Sequence, residues 1–301
     1  MRTEEFLSYW RSHRQCSPRT VRAYRSDLKL FQQFLCEAQL LDTDVTPVVI
    51  SQFETWMETR PNPRFQRYGL KDASIKRRMA AVKSYYKFLR LAGDCNMRDP
   101  FGGLTRNRRM NRTPKPVPDA VRDQLESGIT DIRDKALYAL LFASGLRVDE
   151  VHQLDMEGIT VITEEDKFGK KHRVGTGTVI GKGNKERRFF FDEAAFEVLK
   201  DYLLTRTDSN AALFLSERKQ RLSIRAIQRN LQAWCKKLGL PHINVHRTRH
   251  SYATELANAS IDIMVLMELL GHSDPSTTRN YYDLDKATLA REYFAAKARR
   301  R

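Results

Sequence analysis

The chain has 301 residues, 41% of them hydrophobic and 30% charged, which supports about two packed domains and rules out a disordered chain. Its formal net charge of +16 attracts polyanions, nucleic acid first and an anionic membrane surface second. No apolar run approaches the roughly 20 residues of a membrane span, and Met1–Trp10 carries Arg2, Glu4 and Glu5, so neither a membrane protein nor a secretory signal is expected.

The charge is uneven. Residues 1–117 hold 23 Lys+Arg against 11 Asp+Glu, and residues 118–301 hold 30 against 26. The first part reads as a clamp on a polyanion, whereas the second needs its charges in particular places. Cys16, Cys36, Cys95 and Cys235 form no C-x-x-C pair, so no metal or redox motif is expected and all four read as packing residues of a cytosolic protein.

Ser17-Pro18 reads as a helix cap followed by proline at the first helical position, and Val21, Tyr24, Leu28, Phe31 and Phe34 follow at helical spacing. Ile50, Phe53, Trp56 and Met57 predict a second helix. A third is capped by Ser74, with Ile75, Met79, Val82, Tyr86 and Leu89 on one face and Gly93 just past its end. Its other face carries Lys76, Arg77, Lys83, Lys87 and Arg90, with no acidic residue from Ala73 to Ala92. A run so one-signed points to phosphate contact.

Residues 105–118 hold Arg106, Arg108, Arg109, Arg112, Lys115 and three prolines without apolar periodicity, a linker signal. A basic strap of this kind would let two domains close around a duplex. The expected division is a basic helical domain at 1–105, a linker at 106–117 and a second domain at 118–301. In the last, Ala136–Phe142 predicts a buried helix. Ile159–Ile162, Thr176–Ile180 and Arg188–Phe191 predict three strands, with a loop over Glu164–Gly175 and a hairpin turn at Gly183-Asn184. From Phe196 the pattern is helical to the end, with a basic tail helix over 284–301. The fold class is therefore mainly α, an N-terminal helical bundle plus an α+β domain with a small antiparallel sheet. The glycines near 175–183 open no helix and include no G-x-x-x-x-G-K-[ST], so nucleotide binding is not expected.

Four segments of the second domain carry chemistry. In Ser144-Gly145-Leu146-Arg147-Val148-Asp149-Glu150, Arg147 follows a glycine break, and Glu150 three residues on can hold it. In Gly181-Lys182-Gly183-Asn184-Lys185-Glu186-Arg187, a lysine sits at a tight hairpin tip, either an ordinary turn lysine or one reaching into a groove. In His246-Arg247-Thr248-Arg249-His250, His246 and Arg249 share a helical face, and His250 points elsewhere at about 100° from Arg249. A bidentate cation beside a proton-transfer group suits a phosphate. The last is Leu269-Leu270-Gly271-His272-Ser273-Asp274, with Tyr281 and Tyr282 following. No cluster has metal-ligand spacing.

In this order and spacing the four segments, "SGLRVDE", "GKGNKER", "HRTRHSYAT" and "LLGHSDPSTTRNYY", resemble the signature of the tyrosine recombinase/phage integrase family. The match runs across both domains and is similar to the simple two-domain bacterial type found in chromosome-dimer-resolution and transposon-encoded recombinases. The resemblance implies roles for six residues. Arg147 and Arg249 clamp phosphate, Lys182 is the hairpin general acid, His246 and His272 assist proton transfer, and Tyr281 is the nucleophile, with Glu150 supporting Arg147. The family's histidine-to-tyrosine spacing favours Tyr281 over Tyr282.

The implied activity is cleavage and rejoining of DNA through a 3′-phosphotyrosyl ester, with no metal, ATP or other cofactor. The implied partners are double-stranded DNA bearing an inverted-repeat site and a homotetramer on two duplexes, in the cytoplasm of a bacterium with no membrane association. The tail would pack in a neighbouring protomer. With no further domain expected ahead of the clamp, a phage-type enzyme with accessory arm sites is disfavoured. The competing readings are a type IB topoisomerase, a non-catalytic DNA-binding protein and a metal-dependent nicking enzyme.

Overall fold

The computed structural model describes residues 1–14, 16, 18–62, 67–93, 99–103, 115–166, 168–181, 185–272 and 274–282. The chain forms two compact units, Met1–Met110 and Asn111–Arg301.

The first unit is helical, with α1 (Thr3–Arg14), α2 (Pro18–Glu37), α3 (Pro47–Thr59) and α4 (Asp72–Leu91) around a short antiparallel pair, β1 (Pro61–Asn62) and β2 (Arg67–Tyr68). Phe6, Leu28, Phe31, Phe53, Tyr85 and Tyr86 fill its core. The rings meet edge-on or offset, as at Phe31–Phe53 with centroids 4.8 Å apart, the arrangement that aromatic quadrupoles favour. Ser74 does not cap α4. The helix starts at Asp72 with Lys71 before it, and Asp72 places negative charge at the helix N-terminus, where the macrodipole favours it. Ser17 lies outside the described residues.

The basic face of α4 is less free than its own sequence implies. Lys83 and Lys87 are exposed. Arg77, however, reaches the buried carboxylate of Asp27 on α2 at 2.7 Å, and Arg90 pairs with Asp99 at 3.4 Å. Acidic residues on other segments supply the charge that α4 lacks. Arg106, Arg108, Arg109 and most of the expected linker lie outside the described residues. The cysteines also divide. Cys235 is buried, Cys16 is half-buried and Cys36 is exposed, so packing accounts for Cys235 but not for Cys36, whose position in α2 faces solvent. Cys95 lies outside the described residues.

The second unit opens with α5 (Asp119–Gly128), the buried α6 (Ile132–Ser144) and α7 (Val148–Gln153). A three-stranded antiparallel sheet follows in the order β3 (Ile159–Glu165), β4 (Lys171–Ile180) and β5 (Glu186–Phe191). Then come α8 (Glu193–Leu204), α9 (Ile224–Lys237), α10 (Val245–Asn258), α11 (Ile263–Leu270) and α12 (Pro275–Arg279). The loop expected over Glu164–Gly175 is mostly strand. Glu164 lies opposite His172, and Glu165 opposite Lys171. A strand exposed to water tolerates polar residues on both faces, and opposite charges across the pair favour it. The helical pattern expected from Phe196 onward holds for α8 to α12, but residues 205–223 between α8 and α9 are irregular and carry isolated bridges at Asp155↔Ala212 and Leu215↔Arg221.

Leu137, Leu140, Leu141, Phe142, Phe189, Phe191, Leu199 and Leu231 form the core of the second unit. Helix starts here are set by side-chain caps, with Asp131, Asp192, Ser223, Asn244, Asp262 and Asp274 each accepting a backbone N–H of the first turn. Among the described residues no helix is long and apolar enough to cross a membrane.

Candidate active site

Arg147 stands where α6 gives way to α7. Gly145 ends α6 in the left-handed region at φ 60°, and a Cβ there would lie 2.3 Å from the Tyr252 ring, so glycine is required for the turn. The turn delivers Arg147 to the start of α7. Glu150 accepts the Arg147 backbone N–H at 2.7 Å and its Nη1 at 2.7 Å, the carboxylate half of a capping box. It also accepts Arg187 Nη2 at 2.7 Å. Burial alone would raise the Glu150 carboxyl, but Arg187 and the bonds from Arg147 outweigh it and hold it below the ordinary carboxylate value.

Arg249, on α10, is 2% exposed. Its Nη1 donates to the Gly145 carbonyl at 2.7 Å. Its Nη2 donates to the Leu270 carbonyl and lies 3.1 Å from His272 Nε2. Burial, and then the nearby charge of Arg147, push Arg249 down to about 9. Among the described residues, Glu150 is the one carboxylate bonded to Arg147, Arg187 or Arg249. The site therefore has unbalanced positive charge, which an arriving anion would relieve.

His272 follows α11, and its Nδ1 lies 2.8 Å from the buried Thr278 hydroxyl on α12. With Arg249 donating to Nε2, the proton of the neutral ring belongs on Nδ1. His246 lines a cleft of about 580 Å³ with Arg147, Asn244, Arg247 and His250. His250 does not point away from the site. Its ring lies edge-on to His246 with centroids 4.6 Å apart, and its Nδ1 lies 2.8 Å from the Tyr281 hydroxyl, within hydrogen-bond distance. Arg249 turns inward to α6 and α11, which leaves His246 and His250, one helical turn apart, on the cleft side.

Tyr281 is 9% exposed and packs with Tyr252, Leu266 and Leu270. Burial raises its phenol, against the opposing charges of Arg249 and Arg147. The adjacent tyrosine goes elsewhere, with Tyr282 Oη donating to the Ile261 carbonyl at 2.8 Å. Arg147, Glu150, His246, Arg249, His272 and Tyr281 are thus brought into one neighbourhood. Lys182 lies outside the described residues. Its hairpin root is described, with Gly181 N–H bonded to the Lys185 carbonyl at 2.7 Å. No group of three His, Cys, Asp or Glu side chains converges as metal ligands among the described residues.

Sequence reasoning missed two members of this site. His250 does point away from Arg249, but it is His250, at i, i+4, and not Arg249 that shares the His246 face. Arg187, 5% exposed, gave no signal beyond its place in a hairpin motif.

The histidines predict a pH response. Burial first, then neighbouring cations, push His250 and His272 down to about 4, and His246 also falls. An unfolded histidine takes up a proton near pH 6.5, whereas these stay neutral in the fold down to about 4. Stability is therefore complete above pH 6.5 and falls as pH drops toward 4. Allowing for solvent screening, each ring contributes about 1 kcal/mol of that loss. Thermal melts of the free protein should show a lower Tm at pH 5 than at pH 7, and a His250→Gln/His272→Gln variant should flatten the difference. An equal Tm at both pH values would remove the claim.

Comparison with known proteins identifies the family. A model described as "Phage integrase family" matches residues 117–288, and one described as "Phage integrase, N-terminal SAM-like domain" matches residues 3–93. The chain is 33% identical to "Tyrosine recombinase XerC" of Haemophilus influenzae strain ATCC 51907 over 98% of this chain and 96% of that protein. It is 32% identical to the protein of the same name from Vibrio parahaemolyticus over 99% and 93%. The fold matches the crystal structure of XerH site-specific recombinase bound to difH substrate, with a TM-score of 0.70, 20% identity and coverage of 97% of this chain and 84% of that one. It also matches a Tn1549 transposon integrase in complex with a circular intermediate DNA, with a TM-score of 0.72, 16% identity and coverage of 98% and 99%. By its motifs, its fold and both family matches, the chain belongs to the phage integrase family and is a tyrosine site-specific recombinase.

Proposed function

We propose that the enzyme cleaves and rejoins duplex DNA by attack of Tyr281 on a phosphodiester held by Arg147 and Arg249. The observation that carries this reading is the gathering of two arginines, three histidines and the Tyr281 hydroxyl in one cation-rich neighbourhood. The Tyr281 oxygen forms a bond to phosphorus and the P–O5′ bond breaks, leaving a 3′-phosphotyrosyl ester and a 5′-hydroxyl. One phosphodiester replaces another, so the step is near-isoenergetic, reversible and independent of ATP. Negative charge builds on the non-bridging oxygens, where two fixed guanidiniums stabilise it.

The phenol proton leaves through the histidine pair, with His250 as its first hydrogen-bond partner and His246 beside it. Lys182 supplies the proton to the 5′-oxygen. His272 begins with Nε2 facing Arg249, so it donates to phosphate only after gaining a proton. An anion in the site raises its pKa and favours that gain.

The first unit clamps the duplex, with Lys76, Lys83 and Lys87 meeting phosphate alongside Arg77, Arg90, Arg106, Arg108 and Arg109. The working assembly is a homotetramer on two inverted-repeat sites in the bacterial cytoplasm; the expected tail helix at 284–301 lies outside the described residues. The test uses a library of nicked duplexes of random sequence, with detergent-resistant retention of DNA on the protein as readout. We expect a retained fraction enriched in one inverted-repeat half-site, formed at the same rate in EDTA. A strict Mg²⁺ requirement would overturn the arginine-clamp mechanism. Relaxation of plasmid without sequence enrichment would favour a topoisomerase instead.

A further inference from the structure

Arg187 is enclosed on β5 and has no part in the chemistry described above. We infer that it is a positioning residue, holding the Arg147 guanidinium, the root of the Lys182 hairpin and the loop before His272 in one register. The inference rests on the strand-transfer reading.

Three parts of the chain converge on the Arg187–Glu150 pair. Its Nη2 donates to Glu150 Oε2 at 2.7 Å, while Oε1 of the same carboxylate receives Arg147 Nη1 at 2.7 Å. The direction of the Arg147 fork is thus set through a carboxylate that Arg187 pins from the other side. Its Nη1 donates to the Leu269 carbonyl at 2.5 Å. Its stem passes beneath Gly271, where a Cβ would come within 2.7 Å of the Arg187 Cδ. Gly271 is left-handed at φ 61°, so glycine is needed there twice over, and the next residue is His272. The third part is the hairpin. Arg187 is two residues beyond Lys185, whose carbonyl bonds Gly181 N–H, and a Cβ on Gly181 would lie 3.8 Å from Glu150 Oε1. The root of the loop carrying Lys182 rests on the same carboxylate.

A purely stabilising role does not account for this arrangement. A buried ion pair is often no better for stability than apolar residues of the same volume, because both ions are desolvated. Arg187 also keeps its buried Nε without a hydrogen-bond partner among the described residues. What the pair adds is geometry, since Arg147, the hairpin root and the His272 loop come from three separate parts of the chain and meet around one ion pair.

The experiment compares full-length wild type, Arg187→Lys and Arg187→Gln on the duplex recovered by covalent capture. Lysine keeps the charge but cannot bond Glu150 and the Leu269 carbonyl with a rigid fork. Single-turnover adduct formation is expressed per binding-competent molecule, counted by stoichiometric DNA titration. We expect both variants to fold, to bind within about threefold of wild type, and to form adduct about 10²-fold more slowly, the scale of a misplacement near 1 Å. Lysine should retain more activity than glutamine. An unchanged rate per competent molecule overturns the inference. So does loss of folding in both variants, because the residue would then serve the fold rather than the register. If wild type itself forms no Tyr281-dependent adduct on any library member, the strand-transfer reading fails, a result distinct from either of these.

Discussion

Arg249→Lys is expected to lower single-turnover adduct formation by ~10³–10⁵, equivalent to roughly 4–7 kcal/mol of transition-state stabilisation, while duplex affinity changes little. The guanidinium is buried, with one nitrogen on the Gly145 carbonyl and the other on the Leu270 carbonyl and His272. Both bonds hold the planar fork in a fixed plane, ready for charge that develops only in the transition state. Lysine has one nitrogen on a flexible stem and cannot reproduce two anchors and a phosphate contact together. The variant also leaves at least one buried carbonyl without a donor, at about 1–3 kcal/mol of stability. Arg147→Ala makes a useful contrast. It should lose cleavage on the same scale, yet melt closer to wild type, because Arg147 is partly exposed and Glu150 keeps its bond to Arg187. Adduct kinetics, binding titrations and thermal melts on both variants separate these effects. Cleavage within tenfold of wild type, or a parallel loss of binding, would count against the clamp.

Tyr281→Phe is expected to abolish the covalent adduct while leaving DNA binding and fold intact, and Tyr282→Phe to leave adduct formation in place. The difference lies in where the two hydroxyls go. Tyr281 Oη bonds His250 beside the cleft, and Tyr282 Oη bonds the Ile261 carbonyl away from it. Both residues lie just beyond α12, and with their hydroxyls on different partners one phosphate addresses only one of them. Loss of the Tyr281 hydroxyl costs one hydrogen bond, about 1 kcal/mol, and leaves His250 Nδ1 without that partner. Mass spectrometry of a captured complex after nuclease digestion locates the modified residue directly. A nucleotide remnant on Tyr282, or adduct surviving in Tyr281→Phe, would reverse the assignment.

The parts of this site that were legible in the sequence are those whose geometry is local. Gly145 ends a helix and presents Arg147, and Glu150 is three residues away on the same turn. Asn244 caps α10, and His246 and Arg249 follow within one turn and a half. Such relations are set by backbone dihedrals and helical pitch, which neighbouring residues control. The polar residues of β3 and β4 look like loop in the sequence because an exposed strand has no apolar alternation to reveal it. Only the cross-strand pairing of Glu164 with His172 and Glu165 with Lys171 shows why they extend.

By itself the sequence determined the chemical inventory: a basic first domain, and two arginines, a lysine, two histidines and a tyrosine in the order and spacing of one family. The tertiary structure alone decided which atoms meet. The Arg249–Gly145 contact spans 104 residues, Arg147–Gly271 spans 124, Arg187–Leu269 spans 82 and Tyr281–His250 spans 31. Contacts at such separations depend on how the core of the second unit packs α6, α10 and α11 against β5, and no local spacing rule encodes that. The same packing turned His250 toward Tyr281 and enclosed Arg187, and the packing of α2 against α4 in the first unit drew Arg77 onto Asp27, because burial favours pairing of charged and polar groups wherever the fold supplies a partner.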